Sequence, residues 1–251
     1  MQIESKCYPV AVLGAGTMGE GIAQIAATFG HPVMIYDVSQ AQTQGAIENI
    51  AKRLERSVNK EKITDEKRTQ ILANISPARA LGELAQVKLA IEAIIEDLGI
   101  KQDVFSQLES LLEADAILAT NTSSIDLNKM GSKLKHPQRL VGMHFFNPAQ
   151  VMALVEIVHS TETDSEVADL VFSLAEEWGK SPVHVRSSPG FIVNRAARPF
   201  YSEALVILKE GGTDAANCDA IMRDCGGFRM GPFELMDLIG LDVNYAVTCQ
   251  I

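Results

Sequence analysis

From Val10 onward the chain alternates short apolar runs with longer stretches whose apolar residues recur at helical spacing. The runs Val10–Leu13, Pro32–Tyr36, Val87–Ile95, Ala116–Thr120 and Leu140–Phe146 read as buried strands, and Gly19–Phe29, Ala41–Val58 and Lys101–Leu112 read as helices between them. Strands alternating with helices predict crossover units and a doubly wound, mostly parallel sheet covered on both faces. Two further runs, Ala153–Val158 and Pro182–Val185, flank a helical stretch at Asp164–Trp178 and are expected to extend that sheet. After Ser188 the pattern changes: Pro189–Gly190 opens a long helix to Glu210, Gly211–Gly212 ends it, and only helical patterns follow. The chain therefore reads as an α/β domain over residues 1–186 and a smaller all-α domain over residues 187–251. Pro199 is expected to kink the long helix, because it lacks the N–H that the helical ladder needs.

Composition narrows the classes. With 47% hydrophobic and 22% charged residues over 251 positions, the chain can bury a core without disulfides. A net charge of −10 argues against a nucleic-acid surface, so any anionic ligand must be held by local cations or helix N-termini. The 4 cysteines form no CxxC pair and no metal-spaced cluster with histidine, which suits reduced thiols in a cytoplasmic protein and leaves no metal site to expect. No signal-like or membrane-spanning apolar stretch is present, so no membrane partner is expected.

The first chemical motif is Gly14, Gly16 and Gly19, a GxGxxG turn between a strand and a helix. Gly14 permits the tight turn, Gly16 lets backbone approach a pyrophosphate, and Gly19 lets helix and strand pack closely. Gly16, Thr17, Met18 and Gly19 stand at the helix N-terminus, where free N–H groups favour negative charge. The second strand ends in Asp37, placed to accept from an adenosine ribose hydroxyl and to repel a 2′-phosphate, so NAD is favoured over NADP. This is the Rossmann arrangement.

A second set of polar residues gathers at strand ends. Asn121-Thr122-Ser123-Ser124 follows the run Ala116–Thr120, at the edge where open α/β sheets bind ligands. Ser124 is expected to cap the helix beginning near Asp126, with Ser123 facing the cleft. His144 closes the next run, and Glu156 interrupts the apolar strand Ala153–Val158, where a carboxylate without a partner would be costly. Paired, the two make an oriented general base. Asn194, just inside the first helix of the second domain, is an amide able to donate and accept toward a substrate oxygen, or to bond another helix. His31, His136, His159 and His184 lie at turns or beside exposed-type positions and are expected to be structural.

With these residues the chain resembles the 3-hydroxyacyl-CoA dehydrogenases. The likeness is carried by Gly14–Gly19, Glu92–Asp97, Asn121–Ser124, His144–Pro148 with Glu156, Pro189–Arg195, and Gly231–Leu235 followed by Gly240-Leu241-Asp242. It implies that His144 takes the 3-hydroxyl proton, that Glu156 holds the histidine, and that Ser123 and Asn194 bind substrate oxygens. It also implies that Glu96, Lys101, Ser123 and Asn147 lie near NAD, and that the partners are an acyl-CoA thioester and a second subunit docked through the helical domain. Lys52, Arg53, Arg56, Lys60 and Lys62 are candidates for the CoA phosphates, with a solvated charged face as the competing reading.

The strings Arg195–Tyr201 and Gly226–Met230 look like the bacterial branch used in aromatic-acid (phenylacetate) catabolism, where a 3-hydroxyadipyl-CoA substrate would want Arg195, Arg198 or Arg229 for its distal carboxylate. Family members continue past Asp242 with further helices, so a truncated C-terminus is expected. Two other readings stay open: a dehydrogenase of a free hydroxy acid, gulonate dehydrogenase-like or crystallin-like, and a non-catalytic NAD-binding protein.

Overall fold

Strands that carry no polar face must be covered on both sides, and the computed structural model, which describes residues 7–249 and 251, places the apolar runs accordingly. In chain order, β1 is Val10–Leu13, α1 Thr17–Thr28, β2 Val33–Tyr36, α2 Gln40–Asn59, α3 Asp65–Ala73, β3 Ile75–Ala78 and β4 Leu89–Glu92. Then come α4 at Leu98–Leu111, β5 at Ile117–Thr120, α5 at Leu127–Gly131, β6 at Leu140–Phe145, β7 at Leu154–His159, α6 at Ser165–Glu177 and β8 at Ser181–Arg186.

The strands form one eight-stranded sheet in the order β3-β2-β1-β4-β5-β6-β7-β8. Every neighbouring pair is parallel except β6 with β7. Successive side chains on one strand feed opposite cores. Val10 and Val12 join the cluster under α1, α2 and α6, whereas Ala11 and Leu13 join Phe105 and Leu108 of α4 on the other face.

Two elements escape the apolar pattern, and both lie at one margin of the sheet. The edge strand β3 reads Ile-Ser-Pro-Ala with its two middle residues exposed, and its proline is tolerable because only one side is paired. The helix α3 buries only Ile71 and is held by its cap, Thr64, which accepts from the Lys67 N–H.

A second compact unit begins at Ser188 and contains α7 at Val193–Lys209, α8 at Ala215–Asp224, α9 at Pro232–Ile239 and α10 at Leu241–Thr248. The long helix begins at Val193 rather than at Pro189, because Gly190 and Phe191 both take left-handed backbone, with φ of 71° and 52°. It continues through Pro199. Within this unit the buried Asp219 of α8 accepts from the N–H groups of Phe233 and Glu234 and so caps α9 from a neighbouring helix. Gly231 permits that approach, since a Cβ there would stand 2.2 Å from the Asp219 carboxylate. Among the described residues no helix is long and apolar enough to cross a membrane.

Candidate active site

The glycine turn after β1 is shaped by contacts that only glycine allows. Gly14 has φ of +101°, and a Cβ there would meet the Ala93 carbonyl oxygen at 2.4 Å. A Cβ at Gly19 would fall 1.8 Å from the Gly14 oxygen, so this glycine sets how closely α1 seats against the turn. At Gly16 a Cβ would meet nothing within 4 Å. The turn is therefore packed on its inner side and open at the N-terminus of α1, where Thr17 and Met18 begin the helix and its first N–H groups have no partner in their own helix. That open, positively polarised end fits a dinucleotide pyrophosphate. Asp37, beyond the end of β2, accepts from the Ala15 N–H and the Ser39 N–H, both at 2.9 Å, which fixes a half-buried carboxylate beside the turn.

Of the five cations proposed for CoA, Arg53 turns inward. Its guanidinium bonds Glu20 at 3.0 Å and Gln24 at 2.8 Å on α1, whereas Lys52, Arg56, Lys60 and Lys62 remain exposed.

At the exits of β4 and β5 a buried polar network forms. Glu92, fully buried as the last residue of β4, accepts from Lys101 Nζ at 2.5 Å, the Ile94 N–H at 2.7 Å and the Thr120 hydroxyl at 2.7 Å. Lys101, on α4, is itself buried and reaches Glu96 at 3.1 Å with the same ammonium. The other oxygen of Glu96 accepts from the Thr122 hydroxyl at 2.5 Å, the Ser123 N–H at 3.1 Å, the Ser123 hydroxyl at 3.4 Å and the Ser124 hydroxyl at 3.2 Å. Partial burial alone would raise the Glu96 carboxyl, but the Lys101 ammonium and these hydrogen bonds outweigh it and hold the group below the usual carboxylate range. The expected helix cap at Ser124 is thus not made. Asp126 caps α5 by accepting from Asn128, because its short carboxylate sits directly at the helix start, and Ser124 turns to Glu96 instead.

His144 and Glu156 face each other across the one antiparallel seam of the sheet, in direct register. Nδ1 of His144 lies 2.6 Å from Oε2 of Glu156, with the histidine 5% exposed and the glutamate 0%. A reversal of strand direction at β7 makes this pair possible, and nothing in the spacing of apolar residues foretells that direction. Asn121 ties the two strand exits together, its side-chain oxygen accepting from the Phe145 N–H at 2.9 Å. The loop carrying Ser123 and the strand end carrying His144 therefore occupy the same edge of the sheet. Asn147, exposed, follows on that edge.

Asn194 is the second residue of α7, in the second unit, and its backbone carbonyl accepts from Arg198 Nε at 3.2 Å. Arg198 is committed within that unit. It bonds Asn244 and Thr248 and lies over the Tyr201 ring at 4.8 Å. His31 is buried rather than exposed, with Nδ1 donating to the Tyr8 carbonyl at 3.1 Å.

The family model for the NAD binding domain of 3-hydroxyacyl-CoA dehydrogenase matches residues 9–188, and that for its C-terminal domain matches residues 190–251. The chain belongs to the 3-hydroxyacyl-CoA dehydrogenase family. NAD is accordingly the cofactor of the domain at residues 9–188. The chain is 47% identical to a 3-hydroxyadipyl-CoA dehydrogenase of Escherichia coli (strain K12) over 96% of its own length and 51% of the relative's. It is 41% identical to a 3-hydroxybutyryl-CoA dehydrogenase of Clostridioides difficile, over 95% of this chain and 85% of that protein. The crystal structure of a 3-hydroxybutyryl-CoA dehydrogenase from Escherichia coli K12 substr. MG1655 superposes with a TM-score of 0.96 at 46% identity, covering 98% of this chain and 52% of that one. The chain thus spans about half the length of the Escherichia coli family members it matches.

Proposed function

We propose that this protein oxidises (S)-3-hydroxyacyl-CoA thioesters to 3-oxoacyl-CoA with NAD, and that His144 is its general base. The observation that carries the reading is the buried His144–Glu156 pair at the ligand edge of the sheet. A secondary alcohol gives up hydride readily only as its proton leaves, so a base within hydrogen-bond reach of the hydroxyl is the essential part. Bound NAD supplies the hydride acceptor.

With Nδ1 bonded to Glu156, Nε2 is the ring nitrogen assigned to the substrate proton in this reading. His144 takes the 3-hydroxyl proton as the carbonyl forms at C3, and Glu156 fixes the tautomer and stabilises the imidazolium. Ser123 and Asn194 bind the hydroxyl and thioester oxygens, and Asp37 receives the adenosine ribose. Glu96 and Asn147 line the cofactor region, and the buried Lys101 acts only through Glu96.

The substrate class extends to short acyl chains, including one with a distal carboxylate. The similarity to a 3-hydroxyadipyl-CoA dehydrogenase supports this, as do the exposed Arg195 and Arg229. Both fatty-acid and phenylacetate degradation use such a step, in the cytoplasm. A homodimer through the helical unit accords with its exposed Leu238, Leu241 and Tyr245.

Following NADH oxidation with acetoacetyl-CoA, 3-oxoadipyl-CoA and free acetoacetate, with NADPH as control, tests the reading. Turnover of the thioesters with NADH is expected. Turnover of the free acid alone would replace it with a free hydroxy-acid dehydrogenase, and no turnover of any of them would leave an NAD-binding protein without this activity.

A further inference from the structure

The buried network at the exits of β4 and β5 has a direction. Backbone and hydroxyl donors from Ile94 and Thr120 hold Glu92, Glu92 holds the Lys101 ammonium, and Lys101 holds Glu96. Glu96 in turn receives both the N–H and the hydroxyl of Ser123. Three charged side chains in sequence, Glu92, Lys101 and Glu96, thus connect the middle of the sheet to the loop Thr122–Ser124 at its edge, Ser123 among its donors. Glu92 is 0% exposed and Lys101 1%, so neither side chain presents surface to a ligand. Glu96, with its side chain 32% exposed, is the point where the network meets solvent.

We infer that Glu92 and Lys101 are positioning residues: they lock the Glu96 carboxylate, and through it the orientation of Ser123. Glu96 accepts from the Ser123 N–H at 3.1 Å and from its hydroxyl at 3.4 Å, which directs the hydroxyl hydrogen toward Glu96. The serine oxygen then turns its lone pairs to whatever occupies the edge. It serves as an acceptor of fixed direction, where an unconstrained hydroxyl would rotate. Glu92 is the root of this arrangement, because it accepts from the loop after β4 and from β5 as well as from the cation. The functional weight given to Ser123 rests on the reading proposed above; the mechanical link from Glu92 to Ser123 does not.

The test uses the full chain with two variants, Glu92→Gln, which keeps shape and removes charge, and the milder Thr120→Ser, which keeps the hydroxyl that donates to Glu92 and accepts from the Thr122 N–H and removes only the methyl that holds it. Protein labelled with 15N-serine, with the Ser123 signal assigned from Ser123→Ala, reports the Ser123 amide directly. Its signal is expected to shift, and its hydrogen exchange to rise about tenfold or more in Glu92→Gln and less in Thr120→Ser, as the hydrogen bond to Glu96 loosens. The Ser39 amide, remote from the network, should not move. An unchanged Ser123 amide in both variants would overturn the inference, whether or not the protein turns over thioesters.

Turnover supplies the second reading. Glu92→Gln should lower kcat with acetoacetyl-CoA about ten- to a hundredfold, in the range expected of a misplaced contact. In a Ser123→Ala background the same substitution should cost almost nothing more. Additive losses would assign Glu92 to general scaffolding. If wild-type protein shows no turnover while the amide responds as expected, the catalytic reading fails and the positioning link stands.

Discussion

Two glutamates lie fully buried in this sheet, a few strands apart, and they are paired in opposite ways. Glu156 on β7 meets an imidazole, a ring with a second nitrogen beyond the one it bonds. Glu92 on β4 meets a lysine Nζ, and two further donors saturate it. Burial costs each carboxylate a similar loss of hydration. What differs is whether the compensation can change during a reaction. The first pair suits the proton transfer proposed for it, and the second suits the fixed placement inferred for it.

The sharpest way to break this comparison is to remove the proton carrier. His144→Gln should keep NADH binding, measured by fluorescence titration, and lose about 10²–10⁴ in kcat with acetoacetyl-CoA. Near-normal turnover would take His144 out of the base position. Glu156→Gln should follow with a smaller loss, about 10²-fold, and a displaced pH–rate profile, since the imidazolium loses its counter-charge.

The fixed pair should respond in stability instead. Lys101→Met leaves Glu92 and Glu96 facing each other without a cation and is expected to cost about 3–5 kcal/mol in urea denaturation. A loss below about 1 kcal/mol would mean that water or a rearranged side chain replaces the ammonium.

The smallest effect concerns His31, a buried histidine whose partner is a carbonyl rather than a carboxylate. Burial holds its imidazole below the ordinary value, against the opposing pull of the Tyr8 carbonyl and the Glu177 charge. The unfolded chain therefore takes the proton first, so the stability contribution is whole above about pH 6.5 and is lost as pH falls from there through the folded value. His31→Asn should flatten that acid limb by on the order of 2–4 °C in melting temperature while leaving kcat unchanged. An unaltered limb would assign the acid sensitivity to other groups, His159 foremost, which burial also lowers.

The sequence was most readable where one physical demand acted alone. Strands buried on both faces announced themselves as unbroken apolar runs, and the glycine turn did so because Gly14 and Gly19 cannot carry a Cβ without a clash. The pairing of His144 with Glu156 was inferable from the cost of a carboxylate in an apolar strand. The geometry that achieves it, an antiparallel seam in an otherwise parallel sheet, was not, since side-chain alternation is the same in both directions. The margins were opaque for a related reason. β3 and α3 bury too little for periodicity to register, and the start of α7 is displaced by two left-handed residues that composition does not betray. Ser124 was read as a cap because a cap is a local event, whereas its actual partner, Glu96, comes from a different loop.

The seam between β6 and β7 also has a consequence for how this protein can change over evolutionary time. His144 and Glu156 are brought together by ladder register, and Gly142 permits that register, since a Cβ there would stand 2.7 Å from Val158. The connection between the strands is therefore not what aligns the pair. Residues inserted or deleted there lengthen or shorten a loop and leave the dyad intact. A single residue inserted within β7 would instead turn Glu156 to the opposite face and separate it from His144. Lineages descending from this chain should accordingly show ragged lengths in the loop and none in the strands beside it.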